Sequence, residues 1–516
     1  MPNKQIKLLK YVIDNYVRKE RLPVFMIPNN SIHTIETPVE FYNLLLTGIR
    51  RSRQRVLIST LYLGSGDLER KLVDTLVETS NSNPQLQVKI VMDRNRGQRR
   101  DRKNQSSFTI LKSALDRADN PQNFNISFVT HTRIPRRFDF LLNRRLSETV
   151  GTFHSKAVIF DDSVILTGAN LSEDYFVYRK DRYVLFDDAK PLADFLEDFY
   201  DIFIDLGDKA KRGQDEPTVE FKNLDEYVDH AEQRFKLFKY IHRIADEELL
   251  EVDEYVAKYY ECKLDPLLFK QSEFKGHTDE DVAILAKEEV QDVKHVGKEL
   301  KNVLVVPIFQ ISILNYRYDQ RLMHELLHQM AENQAAHISN LTFTTGYFNP
   351  TPHFLQLFKG IPHATKIQIV TGSPLTNSFH GARGFIGRIP AFYRYSLLKW
   401  VQALDENDNI RFYEYYKDKT TYHTKGFWYW HMNKDFSEYL TIYGSSNYAR
   451  RSFDRDLEAQ FLVFANSENA VKLFERDRMS VFEHKTEIDE KKIQDDTVTR
   501  VSFLNKVYHS LFKGFI

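Results

Sequence analysis

The feature that most constrains this chain is a short pattern that occurs once in each half. The first copy begins at Phe153 and reads FHSKAVIFDDSVILTGAN; the second begins at Tyr422 and reads YHTKGFWYWHMNKDFSEYLTIYGSSN. Each copy predicts a strand, a turn and a second strand, with a His-x-Lys pair at its start and an asparagine at its end. The repeat indicates two similar halves related by a pseudo-two-fold axis.

The segments before the two copies also resemble each other. The first half reads RVLISTLYLGSGDLERKLVDTLVE and then LQVKIVMDRNRG, and the second reads LTFTTGYFNPTPHFLQLFKG and then KIQIVTGSP. Both predict a strand, an aromatic–glycine turn, a helix and a second strand, which is typical of α/β proteins with mostly parallel or mixed sheets. We predict an N-terminal half over 1–206, a charged helical connecting segment over 207–301 and a C-terminal half over 302–516.

The composition excludes several other classes of protein. The chain carries 72 basic and 72 acidic side chains, so no bulk field attracts it to nucleic acid, and we expect no nucleic-acid partner. Its one cysteine, Cys262, excludes a disulfide framework and a thiolate zinc cluster. The longest apolar stretch, VLVVPIFQISIL from Val303, is too short to span a membrane. The first twenty residues make a poor transit peptide, so either none is needed or the chain is a trimmed form.

The paired polar residues suit chemistry at one phosphate. On a strand, residues i and i+2 share a face, roughly 6.5 Å apart, so each half presents an imidazole beside an ammonium. Lysine neutralises phosphate oxygens, asparagine donates hydrogen bonds to them, and one histidine attacks phosphorus while the other protonates the leaving group. Because the lysines supply the positive charge, we expect no metal and no cofactor. The predicted residues are His154, Lys156, Asn170, His423, Lys425 and Asn447.

These residues resemble the phospholipase D superfamily, whose HKD signature is H-x-K-x4-D. The first copy matches fully through Asp161, whereas Trp430 stands at that position in the second. Asp161 is therefore a catalytic candidate, but it falls at a hairpin turn and a purely structural role stays open. The resemblance implies two α/β/α halves with the active site at their interface.

Longer motifs resemble the eukaryotic-type phosphatidylglycerophosphate synthase family, from about residue 36 to about residue 465. They include TLYLGSGDLERKLVDTL, DSVILTGANLSEDYF, TTGYFNPT, TYHTKGFW and RSFDRDLEAQF. The resemblance implies transfer of a phosphatidyl group from CDP-diacylglycerol to glycerol 3-phosphate with release of CMP, on the route to cardiolipin and at the mitochondrial inner membrane. A phosphatidylserine synthase or a phospholipase D-type hydrolase would use the same site. The intact residues of both halves argue against a non-catalytic lipid-binding scaffold.

One asymmetry bears on which histidine is the nucleophile. Glu458 follows Asn447 on a predicted strand, and the matching stretch RKDRYVLF has no glutamate. The family resemblance implies that this carboxylate reaches across to the opposite histidine, where it would fix the tautomer and stabilise a phosphorylated ring. We therefore predict that His154 attacks phosphorus to give a phosphatidyl-histidine and that His423 acts as acid and base.

Substrate-binding candidates lie in the turns that follow the predicted strands. Tyr62 and Tyr347 occupy the two aromatic–glycine turns. Arg96 belongs to the basic run DRNRGQRR after a strand end, where ligands bind in α/β sheets. Its Arg-Gly pair resembles the family's, so we rank it first among these arginines, and a solvated loop remains the alternative.

Two segments are candidates for peripheral contact with an anionic membrane. The tail over 500–516 predicts an amphipathic helix, and 133–146 mixes bulky apolar with basic residues. A core helix with a basic edge is the alternative for each. A different motif, HELLH at 324–328, matches a zinc-protease signature, but no further ligand is evident and we expect an ordinary packing helix.

Overall fold

The computed structural model describes residues 7–131, 151–221, 223–264, 266–269, 300–332, 338–383, 387–433 and 436–495. The strands are β1 Phe25–Pro28, β2 Ile32–Ile35, β3 Arg55–Thr60, β4 Gln87–Asp93, β5 Phe124–Val129, β6 Ala157–Phe160, β7 Ser163–Thr167, β8 Arg179–Lys180, β9 Tyr183–Phe186, β10 Asp208–Lys209, β11 Asn302–Ile311, β12 Tyr316–Arg317, β13 Ile338–Thr345, β14 Thr365–Gly372, β15 Ile410–Tyr415, β16 Thr421–Tyr422, β17 Lys425–Met432, β18 Ser437–Gly444, β19 Leu457–Ala465 and β20 Lys485–Ile488.

The helices alternate with these strands as the sequence pattern indicates. They are α1 Leu8–Val12, α2 Pro38–Arg51, α3 Asp67–Ser82, α4 Arg94–Gly97, α5 Ser107–Arg117, α6 Lys190–Leu206, α7 Leu224–Ile241, α8 Asp246–Glu261, α9 Tyr318–Glu332, α10 Pro352–Gly360, α11 Ile389–Leu404, α12 Arg450–Asp454, α13 Glu468–Ser480 and α14 Glu490–Asp495. The structure also contains two π-helical turns, Ile13–Arg18 and Asp174–Tyr178, and a 3₁₀ turn, Pro374–Thr376.

The two large sheets have the same strand order, which confirms the predicted repeat. The N-terminal sheet runs β10-β5-β4-β3-β6-β7-β9-β2, and the C-terminal sheet, read in the same sense, runs β20-β15-β14-β13-β17-β18-β19-β11-β1. In each sheet three neighbouring strands are parallel, β3, β4 and β5 in one and β13, β14 and β15 in the other, and the remaining strands pair antiparallel. The chain is therefore a mixed α/β protein of two equivalent halves.

Helices pack on both faces of both sheets. Helices α2, α3 and α5 share a hydrophobic cluster with one face of the N-terminal sheet, and α9, α10 and α11 share another with one face of the C-terminal sheet. A third cluster joins α6 and α13 to the remaining face of each sheet, so these helices lie between the sheets. Phe199 of α6 stacks on Phe309 of β11 at a centroid distance of 3.8 Å, which ties the two halves together.

The start of the chain belongs to the second sheet, whereas the sequence predicts residues 1–206 as one N-terminal half. Strand β1 pairs antiparallel with β11, with Phe25 opposite Val305. The amides of Leu8 and Leu9 donate to the carboxylate of Glu438 in β18. A four-residue strand carries no periodicity that tells which of two similar sheets it joins, so the sequence could not reveal this crossing.

Helix α7 of the connecting segment packs on α6 of the N-terminal half, where Phe238 contacts Phe195 and Phe199. Helix α8 and the turn that follows pack against the C-terminal half. The Tyr259 hydroxyl of α8 donates to the carbonyl of Ala465, and the ring of Phe269 stacks on Trp430 at 4.3 Å. Within the described ranges, no helix is long and apolar enough to cross a bilayer. The two candidate membrane segments, 133–146 and 500–516, lie outside the described residues.

Candidate active site

The duplicated motif places its polar residues at the carboxyl ends of the parallel strands. Strand β6 pairs antiparallel with β3, with Ala157 opposite Ser59, so the His-x-Lys pair that precedes β6 lies where β3 ends. Lys425 at the start of β17 pairs in the same way with Thr345 at the end of β13. Carboxyl ends of strands are where open α/β sheets bind ligands.

The two halves exchange backbone hydrogen bonds at the histidines. The amide of His154 donates to the carbonyl of Leu457 at 2.9 Å, and the amide of His423 donates to the carbonyl of Lys180 at 2.9 Å. Strand β16, which ends one residue before His423, pairs with β8 of the other half. These matching contacts are those expected of a pseudo-two-fold relation, and they bring both histidines to one interface.

Each imidazole contacts a buried carboxylate from the opposite half. Nδ1 of His154 lies 2.9 Å from Oε2 of Glu458, which also accepts the hydroxyl proton of Ser445. Nδ1 of His423 lies 2.7 Å from Oδ2 of Asp181. A carboxylate at Nδ1 fixes the ring with its Nε2 nitrogen turned away from the carboxylate and stabilises positive charge on the ring.

Asp181 is the site residue that our sequence analysis missed. It follows Asn170 by eleven residues, as Glu458 follows Asn447, and that equal spacing was a readable signal. The position carries an aspartate, which a pattern defined by glutamate alone does not include. The presence of a carboxylate therefore does not distinguish the two histidines, and the choice of nucleophile needs a different observation.

The glycine and serine before the two asparagines suit these carboxylates. A Cβ atom at Gly168 would lie 2.8 Å from Asp181 Oδ1, so only glycine fits beside that side chain. The equivalent residue of the second half is Ser445, whose hydroxyl donates to Glu458. Gly168 thus leaves space for the carboxylate of Asp181, and Ser445 donates a hydrogen bond to the carboxylate of Glu458.

Both lysines of the motif are buried between the histidines and the carboxylates. Lys156 donates to the carbonyl of His154, and Nζ of Lys425 donates to the carbonyl of His423 at 2.6 Å. Lys425 Nζ also lies 3.8 Å from Asp181 Oδ2. Burial lowers the pKa of Lys156 to about 7 and that of Lys425 to about 8, since a desolvated ammonium is disfavoured.

Burial also shifts the pKa values of the histidines and carboxylates of the site. It lowers the pKa of His154 and of His423 well below the usual range, and the charges of both lysines act in the same direction on each ring. It raises the pKa of Glu458 to about 7 and also raises that of Asp181. Both imidazoles are therefore neutral in the ligand-free protein, which is the form that a nucleophile requires.

The asparagine environments differ between the halves. Nδ2 of Asn170 donates to the Tyr175 hydroxyl at 2.9 Å, and that hydroxyl lies 3.3 Å from Nε2 of His423. The equivalent of Tyr175, five residues after the asparagine, is Ser452, whose hydroxyl accepts the amide proton of Asn447 at 3.2 Å. Of the residues that the structure describes, none makes a hydrogen bond to Nε2 of His154.

Asp161 lies at the other end of β6 from the histidine. Its carboxylate accepts the amide protons of Arg53, Gln54 and Arg55 at 2.8 to 3.0 Å, and its φ of 49° is that of a left-handed turn. The structure does not bring it to the cluster of histidines and lysines. Its contacts are those of the structural turn residue that the sequence analysis kept open.

The three substrate-binding candidates lie around the cluster. The guanidinium of Arg96 stacks 4.5 Å over the Tyr62 ring, and the Tyr62 hydroxyl lies 3.5 Å from Ser172 Oγ, two residues after Asn170. The Tyr347 ring meets His423 edge-on at 5.4 Å. Tyr62 and Tyr347 occupy equivalent positions, two residues past the ends of β3 and β13.

The HELLH histidines do not converge on a common point. His324 packs its ring against His353 at 4.4 Å, and burial lowers its pKa to about 4. His328 is exposed and lies 3.9 Å from Glu332. Across the described ranges, no group of three or more His, Cys, Asp or Glu side chains is arranged to hold a metal ion.

Two equivalent α/β/α halves that meet at paired histidines and lysines define a phospholipase D-like protein. Residues 45–203 match the family described as "Cardiolipin synthase, PLD-like domain". The crystal structure of phosphatidylserine synthase from Haemophilus influenzae Rd KW20 is similar over 99% of this chain and 100% of that one, with a TM-score of 0.68 and 16% identity. At this level of identity, the similarity to that structure shows a shared fold and nothing more.

Sequence relatives define the family more narrowly. The mitochondrial CDP-diacylglycerol–glycerol-3-phosphate 3-phosphatidyltransferase of Gallus gallus is 32% identical over 86% of this chain and 76% of its own length. The Homo sapiens protein of the same name is 30% identical over 87% and 76%, and a probable enzyme of this name from Dictyostelium discoideum is 28% identical over 88% and 73%. This chain belongs to the CDP-diacylglycerol–glycerol-3-phosphate 3-phosphatidyltransferase family, as its motifs indicated.

Proposed function

We propose that this protein transfers the phosphatidyl group from CDP-diacylglycerol to sn-glycerol 3-phosphate, giving phosphatidylglycerophosphate and CMP. The observation that carries the proposal is the pair of histidines, each held at Nδ1 by a carboxylate of the other half. Two imidazoles on opposite sides of an interface suit in-line displacement at phosphorus. Family membership supports the choice of donor and acceptor.

The first step forms a covalent intermediate. The anionic donor favours a protonated His423, which carries its proton at Nε2. The lone pair of His154 Nε2 attacks the phosphatidyl phosphorus, the bond from phosphorus to the CMP oxygen breaks, and His423 gives its Nε2 proton to that oxygen. Lys156 and Lys425 neutralise the non-bridging oxygens, and the amides of Asn170 and Asn447 donate to them. The negative charge of the bound donor raises the pKa of both lysines and favours their ammonium forms.

Tyr175 supports His154 as the nucleophile. The Tyr175 hydroxyl, whose oxygen accepts a proton from Asn170, lies 3.3 Å from Nε2 of His423 and therefore occupies the nitrogen that a nucleophile would use. His154 Nε2 has no such partner among the described residues. The arrangement favours attack by His154 and proton transfer by His423, with Glu458 stabilising the positive charge of the phosphorylated ring.

The second step reverses the first with a new acceptor. His423 removes the proton from the hydroxyl of glycerol 3-phosphate, the alkoxide oxygen attacks phosphorus, and the bond to His154 Nε2 breaks. The kinetics are then ping-pong. Tyr62, Tyr347 and Arg96 surround the site, and we assign them to substrate binding. The chemistry described here requires no cofactor.

The lipid donor implies contact with a bilayer. We propose peripheral binding to an anionic membrane surface, at the mitochondrial inner membrane, with no nucleic-acid partner. Val177 and Tyr178 follow Tyr175 on the same turn and are 39% and 46% exposed, which adds apolar surface next to the site. Relatives named as mitochondrial support the compartment.

The test is CMP release from CDP-diacylglycerol with separate acceptors. We expect release that depends on glycerol 3-phosphate, with phosphatidylglycerophosphate as the lipid product, and loss of release in His154→Ala. Greater turnover with serine would favour a phosphatidylserine synthase, and equal turnover with water alone would favour a hydrolase. Either result would overturn the proposed acceptor while leaving the site assignment intact.

A further inference from the structure

Arg179 is a nearly buried cation beside the site that the two-histidine mechanism does not use. Its side chain is 8% exposed, and its guanidinium lies 4.3 Å from the centroid of the Tyr175 ring. Nε donates to the hydroxyl of Thr421 at 2.9 Å and Nη2 lies 3.2 Å from Asp174. Within the described part of the chain, no acceptor contacts Nη1, so this guanidinium has donor capacity left for a ligand.

Arg179 has no arginine at the equivalent position of the second half, where the nearby guanidinium, that of Arg451, pairs with an aspartate at 3.2 Å. Arg179 follows Asn170 by nine residues, and the residue nine positions after Asn447 is Asp456. Asp456 accepts the amide proton of Thr152 at 2.8 Å, two residues before His154. The pseudo-two-fold thus relates an arginine near His423 to an aspartate near His154, and the charge of Arg179 lowers the pKa of His423.

The proposed reaction needs positive charge on the His423 side of the site, where Arg179 lies. The phosphatidyl group is bound to His154 between the two steps. The leaving group, CMP, and then the acceptor, glycerol 3-phosphate, exchange protons with His423. Each of these two carries a phosphate besides the phosphorus that is transferred. A phosphomonoester binds best to a planar guanidinium that can donate two parallel hydrogen bonds.

We propose that Arg179 forms a second-phosphate subsite, which binds the phosphate of the departing CMP and then the phosphate of glycerol 3-phosphate. This inference rests on the proposed function, because it assumes that both groups use the His423 side. Arg179 would then favour acceptors that carry a phosphate, because an acceptor without one leaves the guanidinium without an anionic partner.

The present contacts of Arg179 permit such binding. Asp174, its acidic neighbour, is 61% exposed, so water already solvates that ion pair and it is weak. Thr421 holds Nε and thereby fixes the plane of the guanidinium. Tyr175 lies against the guanidinium face, which keeps the donor edge free for the ligand.

The deciding experiment is a competition between acceptors. Protein and CDP-diacylglycerol are incubated with a fixed mixture of glycerol 3-phosphate and excess glycerol, and the ratio of phosphatidylglycerophosphate to phosphatidylglycerol is measured. In a ping-pong reaction this ratio depends on the second step alone. We expect R179Q to lower the ratio by about 10- to 100-fold, the loss of one charge-assisted contact, and R179K to lower it less.

The matched control is R117Q, which removes an exposed arginine paired with Asp74. We expect R117Q to leave the ratio unchanged. An unchanged ratio in R179Q would overturn the subsite, whereas failure of the unmodified protein to make phosphatidylglycerophosphate would overturn the proposed function instead.

A binding measurement on the unmodified protein does not depend on how the variants fold. We expect glycerol 3-phosphate to weaken CMP binding competitively in calorimetry and glycerol at the same concentration to leave it unchanged, because the two phosphates share one subsite. Simultaneous binding of CMP and glycerol 3-phosphate would overturn the shared subsite.

Discussion

The Tyr175 hydroxyl lies 3.3 Å from Nε2 of His423, on the ring nitrogen opposite the one that contacts Asp181. Among the residues that the structure describes, no equivalent phenol lies beside His154, because Ser452 takes the corresponding place in the second half. An otherwise near-symmetric site is therefore asymmetric at the nitrogens that react.

The first prediction concerns the covalent intermediate. Mixing the protein with CDP-diacylglycerol and no acceptor should give a phosphatidyl adduct that peptide mapping assigns to His154. His154→Ala should give none, and His423→Ala should slow both formation and breakdown because proton transfer is lost. An adduct on His423 would reverse the assignment. Absence of CMP exchange into CDP-diacylglycerol without acceptor would argue for a direct transfer.

The second prediction tests Tyr175. Tyr175→Phe keeps the ring over Arg179 and removes the hydroxyl from His423, so we expect kcat to fall about 10-fold, the value of one hydrogen bond. The adduct should still form on His154. Tyr178→Phe, three residues along and 46% exposed, is the matched control and should be neutral. Equal effects of the two substitutions would remove Tyr175 from the mechanism.

The third prediction separates the two carboxylates. Glu458→Gln and Asp181→Asn keep the size of each side chain but remove the charge that stabilises its histidine, and each should lower kcat by about 10²- to 10⁴-fold. In rapid-quench experiments Glu458→Gln should mainly slow adduct formation, and Asp181→Asn should also slow its transfer to glycerol 3-phosphate. Identical effects on both steps would contradict separate roles for the histidines.

The fourth prediction is a bell-shaped pH dependence of kcat/KM for CDP-diacylglycerol, which reports groups of the free enzyme. As pH rises through about 7 to 8, Lys156 and Lys425 lose their protons and cease to neutralise phosphate. As pH falls below about 7, Glu458 takes up a proton and its stabilisation of charge on His154 weakens. Glu458→Gln should lose the acidic limb. A flat profile between pH 6 and 9 would contradict these assignments.

The fifth prediction concerns stability at the boundary between the halves. Arg182 is buried between the rings of Trp428 and Tyr443, each 3.9 Å away, and pairs with Asp477 at 2.6 Å. Arg182→Met leaves a buried carboxylate without its partner, so the free energy of unfolding should fall by about 3–5 kcal/mol in denaturant titrations.

The control for that measurement is the exposed pair of Arg117 and Asp74. Arg117→Met should lower the free energy of unfolding by less than about 1 kcal/mol, because water screens the pair. If the two substitutions cost the same, Arg182 does not hold the halves together.

Residues that repeat at short range could be predicted from sequence. His154 and Lys156 stand two apart on a chain segment with strand periodicity, and His423 and Lys425 repeat the spacing, so each pair had to share a face. The order of strands and helices around them determined the α/β class and the two halves. These inferences depend on local spacing and burial, which the amino-acid sequence carries directly.

The contacts between the halves were decided by the tertiary structure. The eleven-residue spacing marks Asp181 and Glu458 as equivalent, but which histidine each one meets depends on how β8 lies beside β16. Strand β1 pairs with the edge of the C-terminal sheet, on β11, although it is distant in sequence. Tyr175 and Arg179 read as ordinary residues of a turn, and they become part of the site only because the opposite half brings His423 to them. Local periodicity specifies a face of an element, whereas the partner on that face is selected by packing over the whole molecule.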